Sequence, residues 1–571
     1  MKKITDNNKY FGLIIFFILL IINFISNYSG LSHFGLYEDD YWYVANSLNQ
    51  NTSDLLSFLG NNLLDFENGE GRIIGKSLPL ILIHIIYSAG GFKSLFIAGL
   101  LLVTLNSFIL FSLLKKQYNA VIGFLAAVIF MVFPTDTTRP FLTHIYQLQL
   151  SLLFIMISFV LLSRRRYFAA YLFALFSLLT YENAFLPFIF APFLISTKWD
   201  REFFRTGIRH LVICAVLVAG IFFIRKLGGE DRIASLSMVD FTKKTLASTV
   251  MGPAAAMFSI ILASVQSSLS FLFNGIVIIA GAVVFFISAL WLFHRSAQPE
   301  GTLTYRIEMK YFKANIEINE VAEQFLRLFL VSAMMLMAGY LFAYTHYPPS
   351  VIKGRMASVH FASSISGAIF IANISYLAMI LLKRYKVTVL VAISLFLGLL
   401  MGYSNLIQRD YKKAWASEQA FWKEVSTLVN DAENNTLVLI SSRDLDSTVF
   451  IQTHSWAVPL VLTESYQFPV LWDHPPKVKK FRSWQEFKYD SERKRLFFLT
   501  DYPFMYEQRD TVYLEDHNTV FLVKDNDKLV RKYDSLTIGG QTLYLKPKGE
   551  TVLDYLQLRK TGQILLGINK N

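Results

Sequence analysis

Apolar runs recur along the chain at 10–27, 93–114, 119–134, 148–163, 167–181, 184–197, 210–226, 270–293, 325–345, 361–382 and 387–407. Each approaches the roughly 20 mostly apolar residues that a membrane-crossing helix needs. The pattern predicts a polytopic all-α membrane domain over residues 1–408, with about 11 transmembrane helices. The first run is followed by no small-residue cleavage site, so it is expected to stay as an anchor. One further stretch, 77–90 "SLPLILIHIIYSAG", is short for a span and carries Pro79 and His84.

Loop charge decides how that stretch lies. If it rests along the outer surface, the basic segments fall on one side: "MKK" at the start, Lys115–Lys116, Arg164–Arg166, the loop 198–209, the segment 295–313 and "KRYK" at 383–386. Cytoplasmic loops concentrate Lys and Arg. A membrane crossing at 77–90 would put Arg164–Arg166 outside, so the surface placement is preferred. The N-terminus is then cytoplasmic. Segments 28–92, 135–147, 227–269 and 346–360, the turn at Glu182 and everything after 408 face outward.

The pattern changes after residue 408. "DYKKAWASEQAFWKEVSTLVNDAENN" has helical spacing with Trp415, Phe421, Trp422 and Val425 on one face. Strand-type pieces follow: "TLVLISS", "AVPLVLTES", "RLFFLTD", "TVYLED", "TVFLVKD" and "LTIGGQTLYLKP", the last a hairpin turning at Gly539–Gly540. Residues 409–571 are therefore predicted to form an extracytoplasmic soluble α/β domain.

Composition agrees with this division. The 571 residues are 54% hydrophobic and 17% charged, with mean hydropathy +0.41, whereas a soluble domain carries about a quarter charged residues. The excess of 54 basic over 42 acidic residues follows from basic cytoplasmic loops, not from nucleic-acid binding. The single cysteine, Cys214, excludes an intrachain disulfide. A large outer domain without disulfides suits a bacterial inner membrane.

The sharpest chemical feature is "GLYEDDYWYVANSL", where Glu38, Asp39 and Asp40 adjoin just past the first span. Three adjacent like charges repel, so solvent, a cation or a chemical task must compensate them. Tyr41, Val44, Ala45 and Leu48 recur at helical spacing, which puts the acids at the N-terminus of an amphipathic interfacial helix. A carboxylate there can act as a general base towards a hydroxyl, or Asp39 and Asp40 can share a divalent cation such as Mg or Mn. No other cofactor is indicated.

Cationic and polar partners lie on the same face. "HYPPSVIKGRMASVH" supplies His346, Lys353, Arg355 and His360, with Lys353 and Arg355 suited to phosphate. "FPTDTTRPFLTHIYQLQ" supplies Asp136, Arg139, His144 and Gln147 for phosphate or sugar hydroxyls. Glu182 occupies a tight outer turn, suited to a sugar or to water. Arg72 precedes the surface helix and suits a lipid phosphate or simple snorkelling. The chain has no Walker-type phosphate loop, no metal-ligating cysteine or histidine array and no nucleophile elbow.

The order of parts resembles the GT-C superfamily of membrane glycosyltransferases, which includes protein O-mannosyltransferases and lipid A aminoarabinose transferases. The resemblance rests on "EDD" at 38–40 in the first outer loop, the Pro-containing helix "GKSLPLILIHIIYSAGGF", the span "LLVTLNSFILFSLLKKQ" ending in basic residues, and the polar loop "FPTDTTRPF". It covers the architecture of residues 1–410. One position departs: Phe141 follows Arg139–Pro140 where relatives often carry a carboxylate, and Asp136 lies upstream, which leaves the second catalytic carboxylate unassigned. The resemblance implies a sugar carried on a polyprenyl phosphate and an extracytoplasmic acceptor (glycan, lipid or protein). It further implies an aspartate of 39–40 as base, with Asp39 favoured, inversion at the anomeric carbon, and Arg355 with Lys353 on the departing phosphate.

Two other functions fit parts of the pattern. A transporter of lipid-linked saccharide would place ionisable or helix-breaking residues midway through its spans, and these spans are nearly free of charge at mid-depth. A ligase or polymerase of lipid-linked glycans would rely on outer arginines and make Asp39 and Asp40 less central. Anchoring alone does not require so many spans.

Overall fold

The computed structural model describes residues 9–64, 72–196, 201–227, 237–295, 304–309, 314–343, 349, 354–441, 458, 460–499, 511–526 and 528–568. Among these residues, eight helices are long and apolar enough to cross a membrane: Tyr10–His33, Ile73–Gln117, Leu142–Ser163, Arg201–Ile224, Val239–Leu269, Phe271–His294, Ser364–Leu381 and Lys383–Leu428. Three shorter apolar helices, Ala120–Val132, Tyr167–Thr180 and Glu182–Ile195, pack with them. The helix Glu320–Ala338 covers 325–338 of the run expected at 325–345. A two-stranded antiparallel hairpin, β1 (Thr304–Met309) with β2 (Ala314–Asn319), occupies part of the segment read as a basic loop.

The ambiguous 77–90 stretch is helical and merges with the following span, but the two meet at a kink. Gly91 has φ 72 and ψ −167, a conformation closed to residues with a Cβ, and it divides the helix Ile73–Gln117 in two. The expected distinction between a pre-span helix and a span thus has a physical marker.

The bundle has one end rich in polar contacts, which we call the site end. The first helix closes there in a π-turn, Phe24–Tyr28. Asn23 donates to Leu100 O at 3.1 Å and to Thr104 Oγ1 at 3.1 Å, and Asn27 donates to Met131 O at 2.9 Å. Such amides join helices where no water competes, each contributing on the order of 0.6 kcal/mol. The segment 227–269, expected to face outward, instead holds a 32-residue helix, Met238–Leu269, that is long and apolar enough to cross a membrane and packs on the helix Lys386–Leu428. A Cβ on Gly252 would strike the Tyr340 ring, and one on Gly402 would strike Ser267. Tyr340 in turn bonds His360 at the end of the 3-10 turn Arg355–His360.

The last helix, Lys386–Leu428, runs unbroken for 43 residues through position 408 and carries the chain into the sheet region. Its far half buries Trp415, Trp422 and Val425 of the expected face, leaves Phe421 half-buried, and buries Tyr411 as well. The strands beyond it are β3 (Thr436–Ser441), β4 (Lys477–Phe481), β5 (Phe487–Asp490), β6 (Arg495–Leu499), β7 (Thr511–Tyr513), β8 (Asn518–Asp525), β9 (Lys528–Lys532), β10 (Ser535–Ile538) and β11 (Gln541–Tyr544). They form a mixed sheet ordered β4-β3-β8-β9, with β3 parallel to β4 and to β8, a three-stranded antiparallel sheet β5-β6-β7, and the β10–β11 hairpin. That hairpin turns at Gly539–Gly540 as predicted.

One expected strand is a helix. "AVPLVLTES" forms the helix Leu460–Ser465, with Val461 and Leu462 buried and the Ser465 hydroxyl bonded to Val461 O at 2.5 Å. Tertiary packing overrides the β-preference of valine here. This short helix and the terminal helix Lys560–Leu565 pack against the helix Asp40–Leu48. Asn49 is the joint: its amide donates to Glu464 O at 3.0 Å and Glu464 Oε2 at 2.8 Å, while Thr561 donates to its Oδ1 at 2.6 Å.

Candidate functional site

The acidic run begins a helix, as expected. Asp39 is the N-cap and Asp40 the first residue of the helix Asp40–Leu48. The expected face of Tyr41, Val44, Ala45 and Leu48 is buried, but Tyr43 and Ser47 are buried as well. The helix is therefore not half-immersed in an interface; its second face is taken up by protein. Glu38 enters it with φ 49, a left-handed backbone that costs a non-glycine residue on the order of 1 kcal/mol. Strain of this kind collects at functional sites.

The three acids have three different environments. Asp40 is fully buried. Its Oδ2 accepts from the main-chain N–H of Tyr37 at 3.1 Å and of Leu142 at 3.0 Å. Its Oδ1 accepts from Thr143 N and Thr143 Oγ1, both at 2.8 Å. A carboxylate has about four acceptor sites, and all are used. Asp40 thus fastens the turn 37–40 to the first turn of the helix that opens at Leu142, whose N-terminal dipole welcomes the charge. Burial pushes its carboxyl up to about 7, against the downward pull of the Thr143, Leu142 and Tyr37 bonds. With its lone pairs occupied, Asp40 has none left for a substrate proton or a cation. Glu38 is buried within electrostatic reach of the Tyr411 hydroxyl. Asp39 keeps partial solvent access. Among the described residues, no group of three or more His, Cys, Asp or Glu side chains is arranged to hold a metal.

The segment 136–144 supplies the rest of the site. Asp136 accepts from Thr138 N at 3.0 Å and from Thr138 Oγ1 at 2.6 Å, and the same hydroxyl meets His144 Nδ1. Arg139 is buried: Nη2 donates to Phe130 O at 2.7 Å and Nη1 to Asn27 Oδ1 at 3.4 Å, while Nε has no hydrogen-bond partner among the described residues. Desolvation pushes the Asp136 carboxyl up and the Arg139 guanidinium down, and their mutual attraction opposes both shifts. Both line a cleft of ≈ 310 Å³, counted with its open mouth, beside Asn27, Thr137, Ser404 and Gln408. The π-turn Ile145–Gln149 follows at once. Each of the two described π-turns therefore lies at the site end, where such irregular turns are often functional.

The third segment joins through Gly354. Its φ of 108 requires glycine, and its N–H donates to Thr137 Oγ1 at 2.9 Å. Arg355 opens the 3-10 turn Arg355–His360 immediately after it. His346 and Lys353 lie outside the described residues. His360 is buried, its Nδ1 against the Tyr340 hydroxyl at 2.6 Å.

Arg72 and Glu182, expected to meet substrate separately, meet each other. Arg72 Nε donates to Glu182 Oε2 at 3.0 Å and Nη2 to Oε1 at 2.8 Å, with the guanidinium 4.2 Å from the Tyr181 ring centroid. This bidentate pair ties the pre-span helix to the turn at Glu182. Gln147 adds a second tie, bonding Gly75 O at 2.7 Å and the Tyr43 hydroxyl. Sequence reasoning missed Thr143, Thr138 and Tyr411. Thr138 had a signal in the Asp-x-Thr spacing of an Asx turn; Thr143 and Tyr411 had none.

No known protein-family profile matches the chain, and no curated protein matches it. Among solved structures, it is similar to ArnT from Cupriavidus metallidurans bound to undecaprenyl phosphate. The likeness spans 77% of this chain and 84% of that one, at 13% identity and a TM-score of 0.32.

Proposed function

We propose that this protein is a membrane glycosyltransferase moving a sugar from a polyprenyl-phosphate donor to an acceptor hydroxyl on the extracytoplasmic face. The N-terminus is then cytoplasmic and the sheet domain outside. One observation supports the reading: a buried cation, Arg139, lines a cleft at one end of an apolar bundle, and the acidic turn 38–40 is bonded through Asp40 to Leu142 and Thr143, a few residues beyond that arginine. A lipid-linked anion needs a cation at headgroup depth, and a hydroxyl nucleophile needs a nearby carboxylate.

In this mechanism Asp39 takes the proton of the acceptor hydroxyl. That oxygen attacks the anomeric carbon from the face opposite the phosphate. The bond from carbon to phosphate oxygen breaks, and its electron pair leaves with the polyprenyl phosphate. Inversion follows from the single displacement. Arg139, joined by Arg355 and Lys353, stabilises the growing phosphate charge where water is scarce and such contacts are strongest. Asp40 holds the two loops in register, and Arg72 with Glu182 sets the pre-span helix. The sheet domain, docked on the end of the Asp40–Leu48 helix, is placed to select the acceptor. A divalent cation remains an addition to test through Asp39.

The test compares release of polyprenyl phosphate from a panel of labelled polyprenyl-phosphate sugars by wild type, Asp39→Asn and Asp40→Asn. Asp39→Asn is expected to fold normally and lose about 10²–10⁴-fold in turnover. Asp40→Asn is expected to lose stability first. Wild type that binds such lipids and never cleaves them favours transport. Turnover retained by Asp39→Asn favours the ligase or polymerase reading built on outer arginines.

A further inference from the structure

The end of the bundle away from the site carries a patch of arginine that the proposed chemistry does not use. The helix Tyr167–Thr180 leads from that end to the turn at Glu182, and its 14 residues set the two about 21 Å apart. There the helix Leu150–Ser163 stops in the turn 164–166, whose three residues are all arginine. Their main-chain N–H groups donate back into the helix: Arg164 to Val160 O at 3.2 Å, Arg165 to Leu162 O and Arg166 to Leu161 O, both at 2.9 Å. The turn is thus pinned while its side chains are exposed. Arg165 has φ 59, where a helix terminus ordinarily takes glycine. The helix Arg201–Leu227 begins beside this turn. The Arg209 guanidinium lies 5.4 Å from the ring centroid of Tyr167, the residue after Arg166, and the Tyr171 hydroxyl meets His210 Nδ1 at 2.9 Å. Arg201, Arg205 and Arg209 recur every fourth residue and are exposed, so they form one stripe about 12 Å long. Phe203, Gly207 and His210 fill the buried face opposite. Among the described residues none of the six arginines makes an ion pair, and Glu202 is the one carboxylate on segments 164–167 and 201–209.

The surface beside the arginines indicates what kind of anion fits. Phe204 and Ile208 adjoin the stripe and are 52% and 63% exposed, and Leu211 and Val212 continue that apolar surface along the helix. Phe168, beside the turn, is 83% exposed. A soluble anion needs no such surface, whereas a phospholipid brings a phosphate and acyl chains together. The cations are also all arginine. A topological charge signal is served equally by lysine, but only guanidinium makes two parallel bonds to phosphate oxygens. We infer that the turn 164–166 and the stripe of Arg201, Arg205 and Arg209 form a headgroup site for a phospholipid with two phosphodiesters, of the cardiolipin class. Two cationic groups on separate elements, joined where Arg209 meets Tyr167, match two linked phosphates. The site does not depend on the transferase reading. It also has a structural consequence: the crossing stretch Arg201–Ile224 is the least buried of the eight long apolar helices, at 22%, and a lipid bridging the two elements braces it against the helix Tyr167–Thr180.

The experiment titrates the full-length protein in neutral detergent with cardiolipin, with phosphatidylglycerol at equal phosphate, and with inorganic phosphate. Bound lipid is read by native mass spectrometry, and thermal unfolding is followed alongside. Wild type is expected to retain cardiolipin and to unfold at a higher temperature with it. The double variant Arg201→Lys with Arg205→Lys keeps every charge, and so the charge pattern that guides insertion. It is expected to weaken cardiolipin about 10-fold, the scale of one lost charge-assisted hydrogen bond. Arg164→Lys with Arg166→Lys is expected to do the same from the other element. Lys116→Gln, which removes a charge outside the patch, is expected to leave binding unchanged. Lysine variants that bind like wild type, or a wild type that holds no cardiolipin, overturn the site, because the arginines then serve only as a charge signal. Phosphatidylglycerol that binds as tightly per phosphate overturns the two-phosphate assignment. Displacement of the lipid by inorganic phosphate overturns the lipid assignment in favour of a soluble anion.

Discussion

Two buried carboxylates, one in the membrane-proximal site and one in the sheet domain, solve the same problem differently. Asp40 is surrounded by neutral donors: three main-chain N–H groups and one hydroxyl. Asp431 is buried against charge. Arg531 reaches both of its oxygens, Gly549 N donates to Oδ2 at 2.7 Å, and Lys546 donates to its main-chain carbonyl at 2.6 Å. The opposing outcomes follow. Desolvation wins at Asp40 and pushes it up, whereas at Asp431 desolvation is outweighed by Arg531 and Gly549 and the carboxyl is held below its ordinary value. Around Asp40 the neutral donors do not offset its burial, whereas at Asp431 the added charges do. The sheet domain uses its carboxylate as a rigid hub. The site end uses one that is poised near neutrality.

The largest expected effect tests the hub. Arg531→Met leaves Asp431 buried without its partner and is expected to cost about 3–5 kcal/mol. Hydrogen exchange of β8, β9 and the end of the helix Lys386–Leu428 would report it, because Arg531 also donates to Leu428 O at 3.1 Å. Pairing it with Asp431→Leu is expected to recover most of the loss, since no unpaired charge then remains. Failure to recover would mean that the hub acts through its main-chain bonds and not through charge compensation.

Next comes the clamp. Asp40→Asn keeps one acceptor oxygen but sets an NH2 group against main-chain N–H donors, with an expected cost of about 1–3 kcal/mol. Its pH dependence separates it from the hub. Because the folded value of Asp40 is raised from 3.8 to about 7, the folded state binds the extra proton between those limits. The contribution of Asp40 is therefore complete below pH 4 and declines as pH rises towards 7, by at most about 1.4 kcal/mol per unit. Asp431, held low, contributes above its unfolded value and loses that contribution as pH falls below 4. Thermal unfolding of wild type and Asp40→Asn across pH 4–8 is expected to show the gap narrowing with rising pH. A constant gap would place the Asp40 carboxyl outside this window.

The comparison also shows what could be read in the chain. Apolar runs marked most of the long helices, the shortness of 77–90 and the loop charge set that stretch apart from the following span, and the acidic turn was found at a helix start. These features are local, and helix periodicity and turn chemistry are local signals. The clamp is not: Asp40 meets Leu142 and Thr143 across 102 and 103 residues. Asn49 meets Glu464 and Thr561 from still farther away. Neither threonine differs, as a residue, from any other loop threonine. The same limit made Arg72 and Glu182 appear as two substrate ligands, because nothing in either neighbourhood indicates that they are partners. The short helix Leu460–Ser465 was missed for a related reason: it packs on the helix Lys560–Leu565, on β4 and on the helix Asp40–Leu48, and its own valines and leucines do not reveal those partners.

The smallest expected effect concerns Glu38, and it separates a turn residue from a working one. At φ 49 a side chain is strained and glycine is not, so Glu38→Gly removes backbone strain of about 1 kcal/mol. Its side chain is buried near Tyr411, however, and that environment is lost in the same step. The two terms nearly offset, so Glu38→Gly is expected to shift stability by less than about 1 kcal/mol in either direction. Glu38→Gln keeps the strain and removes only the charge. If Glu38 merely shapes the turn, both variants turn over lipid-linked sugar like wild type. If its charge sets the field around Asp39, both lose turnover to a similar degree while unfolding near the wild-type temperature. The strain is then retained because a carboxylate is needed where the backbone favours glycine, which is the opposite of Asp40, whose carboxylate is retained because the backbone needs it.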